Sequence, residues 1–191
     1  MYELVVIGVS SGGIEALKTI LPALPADFPV PLVIVQHRES GGDDFLAEHL
    51  DTMSQISVQE PEDKERIEPG HAYIAPAGYH LLLEADGCFS LSVDPPVMYA
   101  RPAIDVLFES AAAAYGARVI GLILTGANSD GAAGLKAIRQ KGGLGIVQNP
   151  ETAHSPTMPH AALNMAGADR VMDLAGIPAF LTGLLQEKRR S

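Results

Sequence analysis

The stretch Leu4-Val5-Val6-Ile7-Gly8-Val9-Ser10-Ser11-Gly12-Gly13-Ile14-Glu15-Ala16-Leu17 decides the fold. Its first four residues are a continuous apolar run with three β-branched members, which predicts a buried strand. Apolar residues then recur at Ile14, Leu17 and Leu21, the spacing of one helix face. The N–H groups that begin a helix are free and lie at its positive end. Ser10, in the turn between strand and helix, is therefore either a helix cap or a positioned nucleophile.

The same alternation of strand and helix continues along the chain. Further buried strands are predicted at Leu32–Val35, Val119–Leu124 and Leu144–Val147. Repeated strand–helix units with buried strands are typical of a mainly parallel sheet covered on both faces. We therefore predict an α/β protein with three layers, α/β/α, and a mostly parallel, doubly wound sheet.

Two helices between these strands are predicted from apolar spacing and from proline. One carries its apolar face on Phe45, Leu46, His49, Leu50 and Met53, after a polar loop that contains Gly41 and Gly42. The other is alanine-rich and runs through Tyr115, and we expect Pro102 to open it because proline suits the first helical turn.

Residues 72–93 interrupt the alternation with three short strand-like runs. The last two flank Asp86-Gly87, a pair that favours a tight hairpin turn. The sequence therefore predicts an antiparallel hairpin insert over this region.

Composition limits the classes of protein to which the chain can belong. Its 191 residues, 47% hydrophobic and 19% charged, suit a single globular domain over 1–191. A net charge of −10 argues against nucleic acid or an anionic membrane as partner. The N-terminus has no signal-peptide pattern, and no apolar run is long enough to insert into a membrane, so we expect a cytoplasmic protein.

Polar residues follow three of the predicted strands. Ser10 follows the first strand, Gln36-His37 the second, and Asp130 lies in the loop after the strand that ends at Leu124. The carboxyl ends of parallel strands share one edge, where α/β proteins bind ligands. A hydroxyl, an imidazole and a carboxylate at one edge can perform acyl transfer.

Each of these residues has a purely structural interpretation as well. Ser10 or Ser11 can cap the first helix, Asp130 can cap the helix that follows it, and His37 can be an ordinary residue at a strand end. Asn128 and Ser129 are interpreted first as residues that shape the loop. Arg101 lies near the substrate or pairs with Asp105 one helical turn later.

Two other sites use the same turn. Gly8-Val9-Ser10-Ser11-Gly12 fits G-x-S-x-G, for which the histidine comes last and would be His154 or His160. Gly8, Ser10 and Gly13 also overlie a phosphate-binding glycine pattern, although its central glycine is absent.

Several motifs, in order, resemble the catalytic domain of the chemotaxis protein-glutamate methylesterase family. The resemblance covers nearly the whole chain, and it is carried by Ile7–Gly13, Gln36-His37, Tyr73-Ile74-Ala75-Pro76, Arg101–Phe108, Leu124–Gly131, Gln148-Asn149-Pro150 and Met158-Pro159.

The resemblance implies a serine esterase that removes methyl groups from glutamate side chains of chemoreceptors. It assigns Ser10 as nucleophile, His37 as base and Asp130 as the residue that orients His37, without a cofactor or metal. Backbone N–H groups near Ser11 and Ala127 are the expected oxyanion donors. A glutamine deamidase with the same residues, or a non-catalytic signalling module that docks on its partner, are the alternatives.

The chain departs from the family pattern at three places, of which the mildest is Ser11 in place of a common threonine. Ala127-Asn128-Ser129 replaces a common Met-Gly and one variable residue, which implies a pocket of different shape. The best-known members also carry an N-terminal receiver domain, whereas this sequence begins at the catalytic strand. We expect a stand-alone enzyme that works with a methylated chemoreceptor or similar protein, regulated by a separate response regulator or kinase.

Overall fold

A seven-stranded sheet forms the centre of the molecule, and every strand pairing in it is parallel. The computed structural model describes residues 1–37 and 45–187, with the backbone alone at residue 187. The strands of the sheet are β1 (Leu4–Val9), β2 (Leu32–Gln36), β3 (Ser57–Gln59), β4 (His71–Ile74), β7 (Val119–Ile123), β8 (Leu144–Gln148) and β9 (Arg170–Met172). Their spatial order is β3-β4-β2-β1-β7-β8-β9. On one side of β1 the chain runs outward through β7, β8 and β9, and on the other side it passes from β2 to the edge strand β3 before β4 fills the place between them.

Within the described residues, six α-helices cover the two faces of this sheet. They are α1 (Gly13–Ile20), α2 (Leu46–Met53), α3 (Ile104–Tyr115), α4 (Ala132–Gln140), α5 (Thr157–Met165) and α6 (Ile177–Glu187). α1, α2 and α6 share one hydrophobic cluster with the sheet, and α3, α4 and α5 share the other. The predicted three-layer, doubly wound α/β/α fold is confirmed.

The central strands are apolar throughout because both of their faces are covered. All six residues of β1 are buried, and alternate side chains enter opposite clusters: Val5 and Ile7 pack on one face and Leu4 and Val6 on the other. A strand of this kind shows no polar alternation in its sequence.

The antiparallel insert is smaller than the sequence predicted. β5 (His80–Leu83) and β6 (Phe89–Ser92) form the expected hairpin. The first of the three runs, β4, belongs instead to the main sheet, where it pairs in parallel with β2 and β3. Ala72, Tyr73 and Ile74 are buried, as befits a strand covered on both faces, and their nearness in sequence to the hairpin was misleading.

Two predicted helix faces differ in detail. Ile14 is 42% exposed, because α1 begins at Gly13 and turns Ala16, Leu17 and Ile20 toward the core instead. α2 is buried through Leu46, Ala47 and Leu50. Phe45, His49 and Met53, which were predicted on the same apolar face, are exposed.

Pro102 does not open α3. The helix begins at Ile104 with Ala103 as its N-cap residue, so the proline lies before the first turn. The helix begins with the N–H groups of Ile104 and Asp105, and both donate to the Asp130 carboxylate. A proline at either position would have no N–H to donate.

The predicted loop with Gly41 and Gly42 lies outside the described residues. In the described part of the chain, each helix falls short of the length and apolar character that crossing a bilayer requires.

Candidate active site

The three polar residues predicted to share a sheet edge lie together. His37 Nδ1 is 3.2 Å from Ser10 Oγ, and His37 Nε2 is 2.7 Å from Asp130 Oδ2. β1, β2 and β7 are adjacent in the sheet, so their carboxyl ends bring a hydroxyl, an imidazole and a carboxylate into one hydrogen-bonded row. Since the pairings are parallel, residues 120 positions apart in sequence meet at one edge.

The acid is the most buried member of this row. The Asp130 side chain is fully buried, whereas His37, at 12%, and Ser10 are both partly exposed. The hydroxyl and the imidazole therefore lie toward the surface, while the carboxylate is shielded from water.

Asp130 caps a helix, but a different one from that predicted. Its Oδ2 accepts a hydrogen bond from the Ile104 N–H at 2.7 Å, and its Oδ1 accepts one from the Asp105 N–H at 2.9 Å. The carboxylate therefore lies at the N-terminus of α3, where free N–H groups and the helix dipole stabilise an anion. α4, which follows Asp130 in sequence, has Gly131 as its N-cap residue.

Ser10 does not cap α1. The N-cap residue of this helix is Gly12, in a left-handed conformation with φ of 78°, and no side chain caps it. The Ser10 carbonyl oxygen accepts a hydrogen bond from the Gly13 N–H at 2.8 Å, and its hydroxyl faces His37. The capping interpretation of Ser10 is wrong.

Two buried polar residues hold the loops that carry Ser10 and His37. Gln36, at the end of β2, donates from Nε2 to the carbonyl oxygens of Ser10 and His37, at 3.1 and 2.9 Å. Thr125 Oγ1, in the loop after β7, donates to the Ser11 carbonyl oxygen at 2.8 Å, and its own carbonyl accepts from the Ser10 N–H at 3.0 Å. These bonds fix the distance between Ser10 and His37.

The supporting roles of Gln36 and Thr125 were not predicted. The available signal was a polar side chain directly after a buried strand, since a buried amide or hydroxyl must find hydrogen-bond partners. Gln148 at the end of β8 follows the same pattern, accepting from the Thr125 N–H at 3.0 Å.

Asp105 forms a second carboxylate close to Asp130. Its Oδ1 accepts a hydrogen bond from the Gly134 N–H at 2.7 Å, which joins the start of α3 to α4. Burial, together with the nearby charges of Asp130 and Glu109, raises the pKa of Asp105 to about 6. The predicted pairing with Arg101 is wrong, because the Arg101 guanidinium donates to the carbonyl oxygens of Val93 and Asp94.

Asn128 does more than shape its loop. Its Oδ1 accepts from the Asp130 N–H at 3.1 Å, as the loop interpretation expects, but its Nδ2 also lies 3.2 Å from His37 Nδ1. An asparagine that was interpreted as a turn residue thus contacts the imidazole.

The other candidate residues lie around this row. Ser11 follows Ser10 in the turn, and Ala127 is exposed on the neighbouring loop. His154 packs against Gly12, where a Cβ atom would come within 2.6 Å of the histidine Cβ, and His160 is exposed on α5. The imidazole at hydrogen-bond distance from Ser10 Oγ, among residues 1–37 and 45–187, is that of His37.

Comparison with known proteins identifies the family. Residues 5–181 match the sequence model of CheB methylesterase. The chain belongs to the CheB methylesterase family. The Thermotoga maritima CheB methylesterase catalytic domain, known from a crystal structure, is 38% identical in sequence. It superposes with a TM-score of 0.92 over 96% of this chain and 99% of that one.

Two relatives of this family member illustrate the range of lengths. A Leptospira interrogans protein named as a putative protein-glutamate methylesterase/protein-glutamine glutaminase is 50% identical over 92% of this chain and 91% of its own. A Salmonella typhimurium protein-glutamate methylesterase/protein-glutamine glutaminase is 43% identical over 92% of this chain, which spans 51% of that protein.

Proposed function

We propose that the chain is a protein-glutamate methylesterase that hydrolyses γ-methyl esters of glutamate side chains in chemoreceptors. The observation that carries the proposal is the His37 ring, which lies within hydrogen-bond distance of both Ser10 Oγ and the buried Asp130 carboxylate. Membership of the CheB methylesterase family supports the substrate class. Ser10 acts as nucleophile, His37 as general base and Asp130 as the residue that orients His37.

Acylation begins when His37 Nδ1 takes the proton of Ser10. The Ser10 oxygen forms a bond to the ester carbonyl carbon, and the tetrahedral intermediate then breaks its bond to the methoxy oxygen. The same imidazolium gives its proton to that oxygen, so methanol leaves and a glutamyl ester of Ser10 remains.

Water completes the cycle by the same route. His37 removes a proton from water, the water oxygen attacks the acyl carbon, and the Ser10 oxygen leaves with the proton that His37 returns to it. The products are a glutamate side chain and the free enzyme.

Asp130 sets the tautomer that this sequence of steps requires. A buried carboxylate only accepts hydrogen bonds, so His37 Nε2 carries the ring proton and Nδ1 presents its lone pair to Ser10. The carboxylate also stabilises the imidazolium while it exists. Two backbone N–H groups of α3 keep the carboxylate in place.

The oxyanion of the intermediate needs donors on the opposite side of the carbonyl from His37. The backbone N–H groups at Ser11 and Ala127 are the candidates, because they lie on two loops that Thr125 and Ser10 bond together. No cofactor or metal enters this mechanism.

Methanol release from a methylated chemoreceptor tests the proposal. The wild-type protein is expected to release methanol, and Ser10→Ala to lose on the order of 10³-fold or more of that turnover. His37→Ala is expected to lose as much, whereas His154→Ala and His160→Ala retain turnover within a few-fold. Undiminished turnover in Ser10→Ala would contradict the mechanism, and no methanol from the wild type would favour a docking module without catalysis.

A glutaminase activity is the second candidate, because the names of the two relatives join it to the methylesterase. The same residues would release ammonia from a glutamine side chain. Ammonia release from an unmethylated receptor that carries glutamine at the modified positions measures this activity separately.

The setting of the enzyme is part of the same proposal. We expect one catalytic domain over 1–191, cytoplasmic location, and a separate response regulator or kinase as regulator. Support for the single domain comes from the two hydrophobic clusters, which pack against opposite faces of one sheet.

A further inference from the structure

The orientation of the Asn128 amide is fixed by its neighbours. The Asp130 backbone N–H can only donate, so the amide oxygen of Asn128 must face it, at 3.1 Å. The amide nitrogen therefore faces His37 Nδ1, at 3.2 Å. If the amide were flipped, its –NH₂ group would face the Asp130 N–H, and its oxygen would face the lone pair of His37 Nδ1 without a hydrogen bond.

Two donors converge on one lone pair of His37. Because Nε2 gives its proton to the Asp130 carboxylate at 2.7 Å, Nδ1 has only its lone pair to offer. Ser10 Oγ lies 3.2 Å from Nδ1, and Asn128 Nδ2 lies at the same distance. Asn128 therefore borders the approach to Nδ1 that is not taken by Ser10.

The leaving group of the reaction must use that second approach. His37 Nδ1 takes the Ser10 proton and then gives it to the leaving atom, so this atom comes close to Nδ1 beside the Ser10 oxygen. An ester oxygen at this position accepts a hydrogen bond from the Asn128 amide. A primary amide presents N–H donors there, which face the Asn128 donor unfavourably.

We propose that Asn128 is a specificity-determining residue that favours a γ-methyl ester over a γ-carboxamide as substrate. This inference rests on the proposed function of Ser10 and His37. With an ester, the Ser10 oxygen bonds to carbon, the C–O bond breaks, and the methoxy group takes the His37 proton to leave as methanol. With an amide, the C–N bond breaks and the –NH₂ group takes the same proton to leave as ammonia; water then hydrolyses the same acyl-enzyme.

Paired substrates test this role. A chemoreceptor fragment carries either a glutamate γ-methyl ester or a glutamine at one position, and kcat/KM is measured for methanol and for ammonia release. Asn128→Asp keeps an oxygen for the Asp130 N–H and replaces the donor by an acceptor, while Asn128→Ala removes both. Ser129→Ala, the next residue of the same loop, is the matched control.

The ratio of the two kcat/KM values is the readout, because a loss of folded protein affects both substrates alike, and Asn128→Ala adds no charge beside His37. We expect the ester-to-amide ratio to fall roughly 10-fold in Asn128→Asp, to fall less in Asn128→Ala, and to stay unchanged in Ser129→Ala. Where the wild type releases no ammonia, its appearance in Asn128→Asp is the same result.

An ester-to-amide ratio that is unchanged in both Asn128 variants, with methanol release retained, would overturn the role of Asn128 and leave the methylesterase proposal standing. Absence of methanol release from the wild type would overturn both.

Discussion

At the scale of single residues, Asp130 links the His37 ring to the start of α3. It is fully buried, and it accepts hydrogen bonds from His37 and from the first two N–H groups of α3. A buried carboxylate without partners is costly, so each of these donors offsets part of the cost of burying it.

Asp130→Asn tests both roles of this residue. The amide has one oxygen, so its –NH₂ group faces either His37 Nε2 together with the Ile104 N–H, or the Asp105 N–H, and in both orientations the neutral amide no longer stabilises the His37 imidazolium. We expect methanol release to fall on the order of 10³–10⁴-fold, measured as kcat. The melting temperature should fall as well, while circular dichroism retains the native helix content. Full turnover in this variant would contradict the assigned role of Asp130.

Asp105 adds a pH-dependent contribution to stability. Burial is the main cause that raises the pKa of its carboxyl from the ordinary value of 3.8 to about 6 in the folded protein. The folded state therefore binds more protons between these values, and the stabilisation present below pH 3.8 is lost as the pH rises through about 6.

Asp105→Asn should remove this pH-dependent loss of stability, because the side chain stays uncharged while its oxygen can still accept from the Gly134 N–H. Relative to the wild type, we expect the variant to gain on the order of 1–3 kcal/mol in free energy of unfolding between pH 4 and pH 8. Urea titrations at several pH values measure it. Glu151→Gln, which removes an exposed charge, is the control, and an identical pH slope in wild type and Asp105→Asn would contradict the prediction.

At the scale of elements, the ends of neighbouring strands are bonded to one another by buried glutamines. Gln36 joins the end of β2 to the Ser10 carbonyl, and Gln148 joins the end of β8 to the Thr125 N–H. The turn that carries Ser10 and the loop that carries Thr125 are thus held by glutamine side chains at the ends of neighbouring strands.

Gln36→Leu should therefore reduce activity beyond its effect on folding. It leaves the carbonyl oxygens of Ser10 and His37 without this donor, which costs about 1–3 kcal/mol per buried group and loosens the distance between the two residues. Gln148→Leu is a matched variant, equally buried but without a bond to either residue. At equal folded fraction, methanol release should fall further in Gln36→Leu than in Gln148→Leu; equal losses would assign Gln36 a structural role only.

Elements were predicted well where a single local signal determines them. The apolar runs of β1, β2 and β7 and the Asp86-Gly87 turn each decide their structure locally, and all are confirmed. β4 was misplaced because the choice of a strand's partner depends on the rest of the sheet. Its residues carry no mark that distinguishes a parallel central strand from a member of the nearby hairpin.

At the scale of the whole molecule, the topology brings together residues that are distant in sequence. The expectation that Ser10, His37 and Asp130 meet depended on a parallel sheet in which the strands that precede them are neighbours, and β2-β1-β7 is that order. What the sequence could not provide is the packing across layers. Gly8 of β1, for example, leaves room for Ile104, whose Cγ2 would lie 2.3 Å from a Cβ atom at that position.

The contacts around Ser10, His37 and Asp130 could not be predicted for the same reason. Asn128 contacts His37, and the Asp130 carboxylate caps α3, only because loops from different strands fold over one edge. Local patterns assigned Asn128 to its own turn and Asp130 to the helix that follows it. A polar residue can serve its neighbour in sequence or its neighbour in space, and the sequence alone does not distinguish the two.

Covalent labelling shows directly whether Ser10 is an activated nucleophile. A fluorophosphonate reacts with such a hydroxyl and releases fluoride, and trypsin then yields the peptide of residues 1–18, which ends at Lys18 and can be fragmented to separate Ser10 from Ser11. We predict one label per chain, on Ser10, with labelling abolished in His37→Ala. A wild-type protein that releases methanol from methylated receptor while its label falls on another residue, or on none, would contradict the account.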